Sequence, residues 1–369
     1  MVQGIGSARL HALVTYFGSA EAAWYASFEE LRRVPNIGDG VASQIIERRG
    51  KVDIEGELDR AAALGVSILT LGEEAYPKLL TQIYDPPPVL YIRGSLAPQD
   101  SLAVAVVGCR RPTPYGVCVA ERLGYELARR GITVVSGMAR GIDSAAHRGA
   151  LKAGGRTIAV LGCGVDICYP QENIKLMCDI VGSGAVVSEF PFGMRPLAVN
   201  FPARNRVISG LSLGTVVVEA GLRSGALITA DFALEQGRQV FAVPGDIRRE
   251  TSKGPHRLLK EGAALVEEVG DILSELGLNL EPVTLFDLPA SGRVTVSSGV
   301  DGVEASPGRL GPVASRVFQV LGDEPLVVDE IAQRAGIDAS LVSASLIALE
   351  VDGSVRALPG NAYIKATAP

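Results

Sequence analysis

Residues 201–212 read FPARNRVISGLS and place an aromatic ring, two guanidinium groups and an amide within one short run: Phe201, Arg204, Asn205 and Arg206. Pro202 suits the opening of a helix, because its missing N–H is not needed there and its φ is already helical. Val207, Ile208 and Leu211 then recur at helical spacing. This puts Arg204 and Arg206 in the first turn, where the helix dipole already carries partial positive charge and a cation costs up to about 1 kcal/mol. Such a pair either receives an anion or sits on a solvated turn. Phosphate is the natural anion for a helix N-terminus, and Phe201 would suit a base stacked beside it.

Three other loops carry related chemistry. Gly108-Cys109-Arg110-Arg111 follows an apolar run and stands where a Rossmann domain has its phosphate loop, but no G-x-G-x-x-G is present. Gly108 permits close backbone approach, and two arginines in place of glycines suit a phosphodiester better than a buried cofactor. A salt bridge from Arg110 to a neighbouring loop is the other reading. Gly137-Met138-Ala139-Arg140-Gly141-Ile142-Asp143 leads into a helix that Asp143 could cap. Arg223-Ser224-Gly225 again places glycine before a helix. Gly162-x-Gly164 lacks a third glycine. Asp143, Ser144 and His147 share one helix start, and His147 reads as a structural histidine. No nucleophile–base pair, metal cluster or Walker A sequence stands out, so the loops form a binding surface and call for no cofactor.

The elements that must position these loops alternate from 102 to 276. Apolar strands are expected at Leu102–Val107, Thr133–Ser136, Thr157–Leu161, Ala185–Ser188, Thr215–Val218, Gln239–Val243 and Ala264–Val266. Helices are expected between them, near 115–130, 143–153, 203–210, 227–236 and 256–261. Continuous apolar strands separated by helices predict an α/β, Rossmann-like, doubly wound and mostly parallel sheet covered on both faces. Ligands of such sheets lie off the carboxyl ends of the strands.

Around this core, residues 1–68 read as a small helical domain. VQGIGSARL at 2–10 realigns on VPNIGDGVA at 34–42 with an offset of 32, a pattern that resembles tandem helix-hairpin-helix (SAM-like) motifs. Its acidity, with Glu29, Glu30, Asp39 and Glu47 near the second turn, favours packing or partner docking over a DNA clamp. Residues 69–95 form a bridging extension to the 69–285 domain; Pro86–Pro88 forbids helix there, and Val89–Ile92 is expected as an edge strand. Residues 286–312 are rich in Gly, Ser and Pro and read as a flexible linker, with a reach of roughly 25–30 Å. Residues 313–369 fit a winged helix, with helices at 313–321, 328–335 and 340–350 and a wing at 355–365. The third helix, SLVSASLIALE, has no Lys or Arg and is a poor groove reader.

Bulk properties set limits. The net charge is −6, yet residues 96–285 hold 20 basic and 19 acidic side chains, so any polyanion surface is a local patch in the middle of the chain. No apolar run approaches a membrane span of about 20 residues. The first residues lack a basic and apolar leader, and five cysteines without a C-x-x-C pair read as reduced thiols, which together point to the cytoplasm.

The ordered motifs resemble one family, the DNA-processing protein A family (DprA, also called Smf) of bacterial natural transformation. They are YPKLLTQIYDPPPVLYIRG at 76–94, AVVGCRRPTPYG at 105–116, VSGMARGIDSAAHRGAL at 135–151, VLGCGVDICYPQEN at 160–173, SEFPFG at 188–193, FPARNRVISGLS at 201–212, EAGLRSGALITADFA at 219–233 and FAVPG at 241–245. The resemblance implies a non-enzymatic protein that binds incoming single-stranded DNA in a positive pocket of the Rossmann domain, protects it, helps load the RecA recombinase, and forms a homodimer through that domain. It matches Gly108-Cys109-Arg110 to the family's Gly-Ser-Arg loop, with Cys for Ser, Phe201 to an aromatic that meets a base, and Arg204-Asn205-Arg206 to Arg-Asn-Arg. Arg111, Arg140, Asn173, Lys175, Arg195, Ser224 and Gly225 complete the expected DNA-binding set. Ala198 and Asn200 stand where the family commonly has Lys and His, leaving Arg195, Lys175 or Arg248-Arg249 to supply charge; His256 stands where Asn is usual. The rival reading is a nucleotide-binding enzyme that cleaves nucleoside monophosphates, for which Gly214-Thr215-Val216-Val217-Val218-Glu219 is a loose echo of a Gly-Thr-x-x-Glu run.

Overall fold

The computed structural model describes residues 5–278 and, in the C-terminal part, 312–322, 326–337, 342, 345, 346, 349, 355–358 and 362–365. The chain divides into two compact units, Met1–Pro289 and Ala290–Pro369.

The first unit opens with helices α1 (Ser7–Phe17), α2 (Ala20–Tyr25), α3 (Phe28–Leu31), α4 (Asp39–Arg49) and α5 (Ile54–Leu64). The 32-residue repeat is structural: Gly6 and Gly38 stand as N-caps of α1 and α4, neither with a side-chain cap. Arg9 ties the two turns by donating from Nε to the carbonyl of Asn36 at 3.1 Å. Leu13, Leu31, Val34, Ile37 and Ile45 bury a separate small core.

The chain then runs β1 (Val66–Thr70), α6 (Lys78–Thr81), β2 (Val89–Gly94), β3 (Ala103–Val107), α7 (Pro114–Arg129), β4 (Thr133–Ser136), α8 (Ile142–Lys152), β5 (Thr157–Val160), α9 (Ile174–Ser183) and β6 (Ala185–Ser188). It continues through α10 (Asn200–Gly210), β7 (Gly214–Val217), α11 (Gly225–Glu235), β8 (Gln239–Ala242), α12 (Lys253–Lys260), β9 (Ala264–Leu265) and α13 (Val269–Glu275). Nine strands form one sheet in the order β1-β2-β6-β5-β4-β3-β7-β8-β9. From β6 to β9 every pairing is parallel, as the unbroken apolar strands imply. Alternation along β3 sorts its side chains by face. Ala103, Ala105 and Val107 pack with Val207, Ile208 and Leu227, whereas Val104 and Val106 pack with Leu123, Leu127 and Ala146. The sheet is thus covered on both sides, and its order reverses between β3 and β7.

Two expectations need correcting. Val89–Ile92 is not an edge strand, because β1 pairs antiparallel outside it, Val66 opposite Arg93. β1 also runs across residue 68, where the helical domain was expected to end. Helices α9 and α13, which the strand–helix reading passed over, bury Leu176, Met177 and Ile180 and Val269, Ile272 and Leu273 respectively.

In the second unit α14 (Pro312–Val320), β10 (Leu326–Val327), α15 (Val328–Ala335), β11 (Val355–Leu358) and β12 (Ala362–Lys365) give an antiparallel sheet of order β10-β12-β11. The wing strands fall where the sequence places them. The expected linker lies outside the described residues apart from Pro312, which opens α14, and most of the expected third helix also lies outside them.

Helices α7 and α8 lie close enough that glycine is required at the contact. A Cβ on Gly149 would stand 2.0 Å from the carbonyl oxygen of Glu121, and one on Gly124 would stand 2.3 Å from that of Ala146. Both obstacles are backbone, so only separation of the helices relieves them. Gly149→Ala should therefore cost about 1–3 kcal/mol, read as a lower midpoint in urea unfolding with an unchanged slope.

Candidate nucleic-acid interface

The pocket forms where the ends of β3, β4 and β5 meet the start of α10. Its walls include Arg110, Arg140, Gly162, Tyr169, Phe201 and Arg204. Phe201 is half-buried at its centre. The Arg110 guanidinium carbon lies 5.3 Å from the ring centroid of Phe201, and the Tyr169 ring lies 5.6 Å away at 42°. Gly162 supports this seat: a Cβ there would come within 3.1 Å of the Phe201 ring. Asn200, absent from the expected set, donates from Nδ2 to the Gly162 carbonyl at 3.1 Å and holds the helix start on the loop.

The helix itself begins earlier than its proline suggested. Val199 is the N-cap and Asn200 the first helical residue, so Pro202 is third and Arg204 and Arg206 lie in the second turn. Neither arginine occupies the dipole end. Both are buried, with 5% and 8% of their surface exposed, and both are spent on the protein. Arg204 donates from Nη1 to the carbonyls of Gly137, at 2.8 Å, and Val160. It thereby fastens α10 across the ends of β4 and β5, and Gly137 is glycine because a Cβ would strike the guanidinium. Burial lowers the Arg204 pKa to about 10, opposed by Asp143. Arg206 forms a two-pronged pair with Glu189 at 2.6 and 2.8 Å and reaches Asp85 at 3.2 Å. Asn205 donates to the Gly225 carbonyl at 3.1 Å, which joins α10 to α11. Arg206 and Asn205 are therefore scaffold, and Arg204 meets the pocket only as its floor.

Around the β3–α7 loop, Gly108 is needed for packing and not for ligand approach. A Cβ there would stand 2.5 Å from Ile142 and 2.9 Å from the Glu219 carbonyl. The Cys109 N–H donates to that carbonyl at 2.6 Å. Burial, reinforced by Glu219, raises its thiol to about 11, so it is a neutral group. Arg110 and Arg111 are exposed, and among the described residues neither forms an ion pair, so the alternative salt bridge of Arg110 is not formed. Arg140 differs: Glu172 accepts from it at 2.5 and 2.6 Å, so its charge is already matched.

The remaining expected residues scatter. Asn173 is buried and donates to the Met138 carbonyl and the Ser144 hydroxyl, both at 2.9 Å, which makes it structural. Lys175 and Arg195 are exposed on α9 and on the loop before α10, outside the pocket walls. Ser224 caps α11 by accepting from the Ala226 N–H, and Gly225 is exposed at the helix start. Asp143 is not a cap, since Gly141 holds that position. It is buried beneath the pocket, and burial raises its pKa against the opposing field of Arg204 and three backbone N–H groups. His147 is buried against the Thr157 hydroxyl at 2.6 Å. That hydroxyl donates onward to Val134, so His147 is the donor from Nδ1. Burial takes its pKa down to about 3. It is a structural histidine, and acidification below its unfolded pKa of about 6.5 weakens the fold. All five cysteines are free, and no cluster of metal-ligating side chains occurs among the described residues. No helix among them is long and apolar enough to cross a membrane.

Fold and site together define a doubly wound α/β protein that presents a cation and aromatic rings at its strand ends, without the glycine fingerprint of a dinucleotide binder. The model of the DNA recombination-mediator protein A family matches residues 67–277, and that of the DprA winged helix domain matches residues 304–361. Protein Smf of Synechocystis sp. is 34% identical, with 98% of this chain and 96% of the relative aligned. Protein Smf of Escherichia coli is 43% identical over 81% and 77%. Among solved structures, DNA processing protein A from Streptococcus pneumoniae superposes with a TM-score of 0.66 at 36% identity, over 74% of this chain and 94% of that one. DNA processing protein A from Helicobacter pylori, studied for its single-stranded DNA binding mode, gives 0.52 at 33% identity, over 57% and 95%. The chain belongs to the DprA/Smf family of DNA recombination mediators.

The Arg206–Glu189 pair that braces α10 gives a test of its scaffold role. Arg206→Ala strands the Glu189 carboxylate in a largely buried setting, and breaking such a pair costs about 3–5 kcal/mol. Chemical denaturation should show that loss.

Proposed function

We propose that this chain binds single-stranded DNA in the pocket at the strand ends, with one base against Phe201 and the adjoining phosphate on Arg110. The observation that carries this reading is the exposed, unpaired Arg110 guanidinium placed over a half-buried aromatic ring. Stacking and a cation on one side suit a flexible strand, whose bases all offer a π-face. Arg111, Lys175 and Arg195 supply further charge along the strand, whereas Arg140 takes part only by exchanging Glu172 for a phosphate. The similarity to the Helicobacter pylori protein supports the same ligand.

Membership of the DprA/Smf family supports the wider role we propose, in natural transformation: the chain holds and protects incoming single strands in the cytoplasm and helps load RecA, acting as a homodimer through its α/β domain and carrying out no reaction itself. The competing reading, cleavage of nucleoside monophosphates, would need Glu219. That carboxylate is buried and accepts from the Thr113 N–H at 2.8 Å and hydroxyl at 2.6 Å, so it is held by the protein's own loop. Release of free base from a panel of nucleotides would restore the enzyme reading.

Arg110→Ala should weaken binding of a labelled oligo-dT by about tenfold, equivalent to ~1.4 kcal/mol, in a gel shift, while the melting temperature stays unchanged. Duplex of the same length should bind the wild-type chain less well, and binding of the strand should weaken as salt rises. Undiminished affinity in Arg110→Ala removes this pocket as the binding site.

A further inference from the structure

The β3–α7 loop borders a second depression. On one side Arg110 faces the Phe201 pocket; three and five residues on, Thr113 and Tyr115 line a crevice of about 550 Å³ with Glu219, Gly245 and Arg249. This crevice lies off the ends of β3, β7 and β8, where the strand order reverses, the position at which doubly wound sheets take their ligands. Three residues of chain reach at most about 11 Å, so the two depressions are neighbours along one loop.

We propose that this crevice is a second nucleotide subsite, which takes the part of a DNA strand that continues past the Phe201 pocket. The inference rests on the single-strand reading above and extends it. Tyr115 offers the ring: it is 50% exposed, and its hydroxyl donates to the Pro244 carbonyl at 3.0 Å, which fixes one end of the side chain. Arg249 offers the charge. Its neighbours Arg248 and Lys253 are matched by Asp246 and Glu250, whereas Arg249 is exposed and forms no ion pair among the described residues. Two carboxylates stand in the wall: Asp246 is held by Arg248, and Glu219 is turned onto Thr113. A base on Tyr115 and its phosphate on Arg249 use the two open groups of the crevice.

The same geometry disfavours a dinucleotide cofactor in this place. The start of α7 is closed by Glu219, since a Cβ on Gly116 would stand 2.6 Å from the carboxyl carbon. A pyrophosphate seated on that helix start would meet a buried carboxylate where the cofactor folds offer glycine N–H groups.

The test compares oligo-dT of about 5 and about 20 nucleotides, lengths that bracket a short and a continuous track, by fluorescence anisotropy on the full chain. Arg249→Ala and Tyr115→Leu should each weaken the long strand by about three- to tenfold and leave the short one unchanged, whereas Tyr115→Phe, which keeps the ring, binds as wild type. Arg249→Ala should also make the salt dependence for the long strand shallower by about 0.7 in log–log slope. Unchanged affinity and slope for the long strand in both variants, with Arg110→Ala still weakening both lengths, overturns the second subsite and leaves the first standing. Loss of both effects, including that of Arg110→Ala, overturns the single-strand reading itself. Thermal stabilisation by free dTMP that Arg249→Ala abolishes, with long-strand binding unchanged, assigns the crevice to a free nucleotide and likewise overturns the proposal.

Discussion

The pocket depends on one buried cation. Arg204 lies under it with its guanidinium against the carbonyls that end β4 and β5 and within the field of Asp143. A charge in such a place is tolerated only if its donors are met. Here the carbonyls of Gly137 and Val160 accept from it, which requires α10 to cross the strand ends in one position. Phe201, three residues earlier on the same helix, is thereby carried to the mouth of the pocket. Binding chemistry and fold energetics share a helix, with the buried residue setting where the exposed ring stands.

Small residues complete this arrangement. Gly137 leaves room for the Arg204 guanidinium and Gly162 for the Phe201 ring. Neither follows a phosphate-loop pattern; each is glycine because a side chain of the protein occupies the space where its Cβ would go. Two further braces, Arg206 to Glu189 and Asn205 to Gly225, fix α10 against its neighbours. Helix position is over-determined, while the groups that meet solvent, Arg110 and Arg111, form no ion pair among the described residues.

The strands were the most legible part of the chain, because runs such as AVAVV and TVVS are short, buried and rich in β-branched residues, as a doubly covered sheet demands. β1 was less so, because Val66–Thr70 is short and begins directly after the Gly65 that ends α5. For the site, sequence alone could mark arginines but not where their charge is spent. Arg206 looks like Arg110 until Glu189 and Asp85 are seen beside it, and Asp85 is 121 residues away along the chain. Pro202 misled in a similar way: proline is at home anywhere in the first turn, not only at its first position, and two residues precede it in α10. The pocket's aromatic was read from type and spacing, but its support by Asn200 and Gly162 depends on loop geometry that no local pattern encodes.

The ion pair between Arg140 and Glu172 bears on ionic stoichiometry. Each phosphate of a strand carries condensed cations, and a guanidinium free to neutralise it sends them to the bulk, which makes affinity fall with salt. Arg140 instead carries a tethered counter-ion. A phosphate that arrives there displaces a carboxylate that stays on the protein and gathers a cation in its turn, so the net release is close to nil. Counting cations at the pocket mouth would therefore overstate how strongly added salt competes, and Arg140 would contribute to the strand's path without contributing to its salt sensitivity.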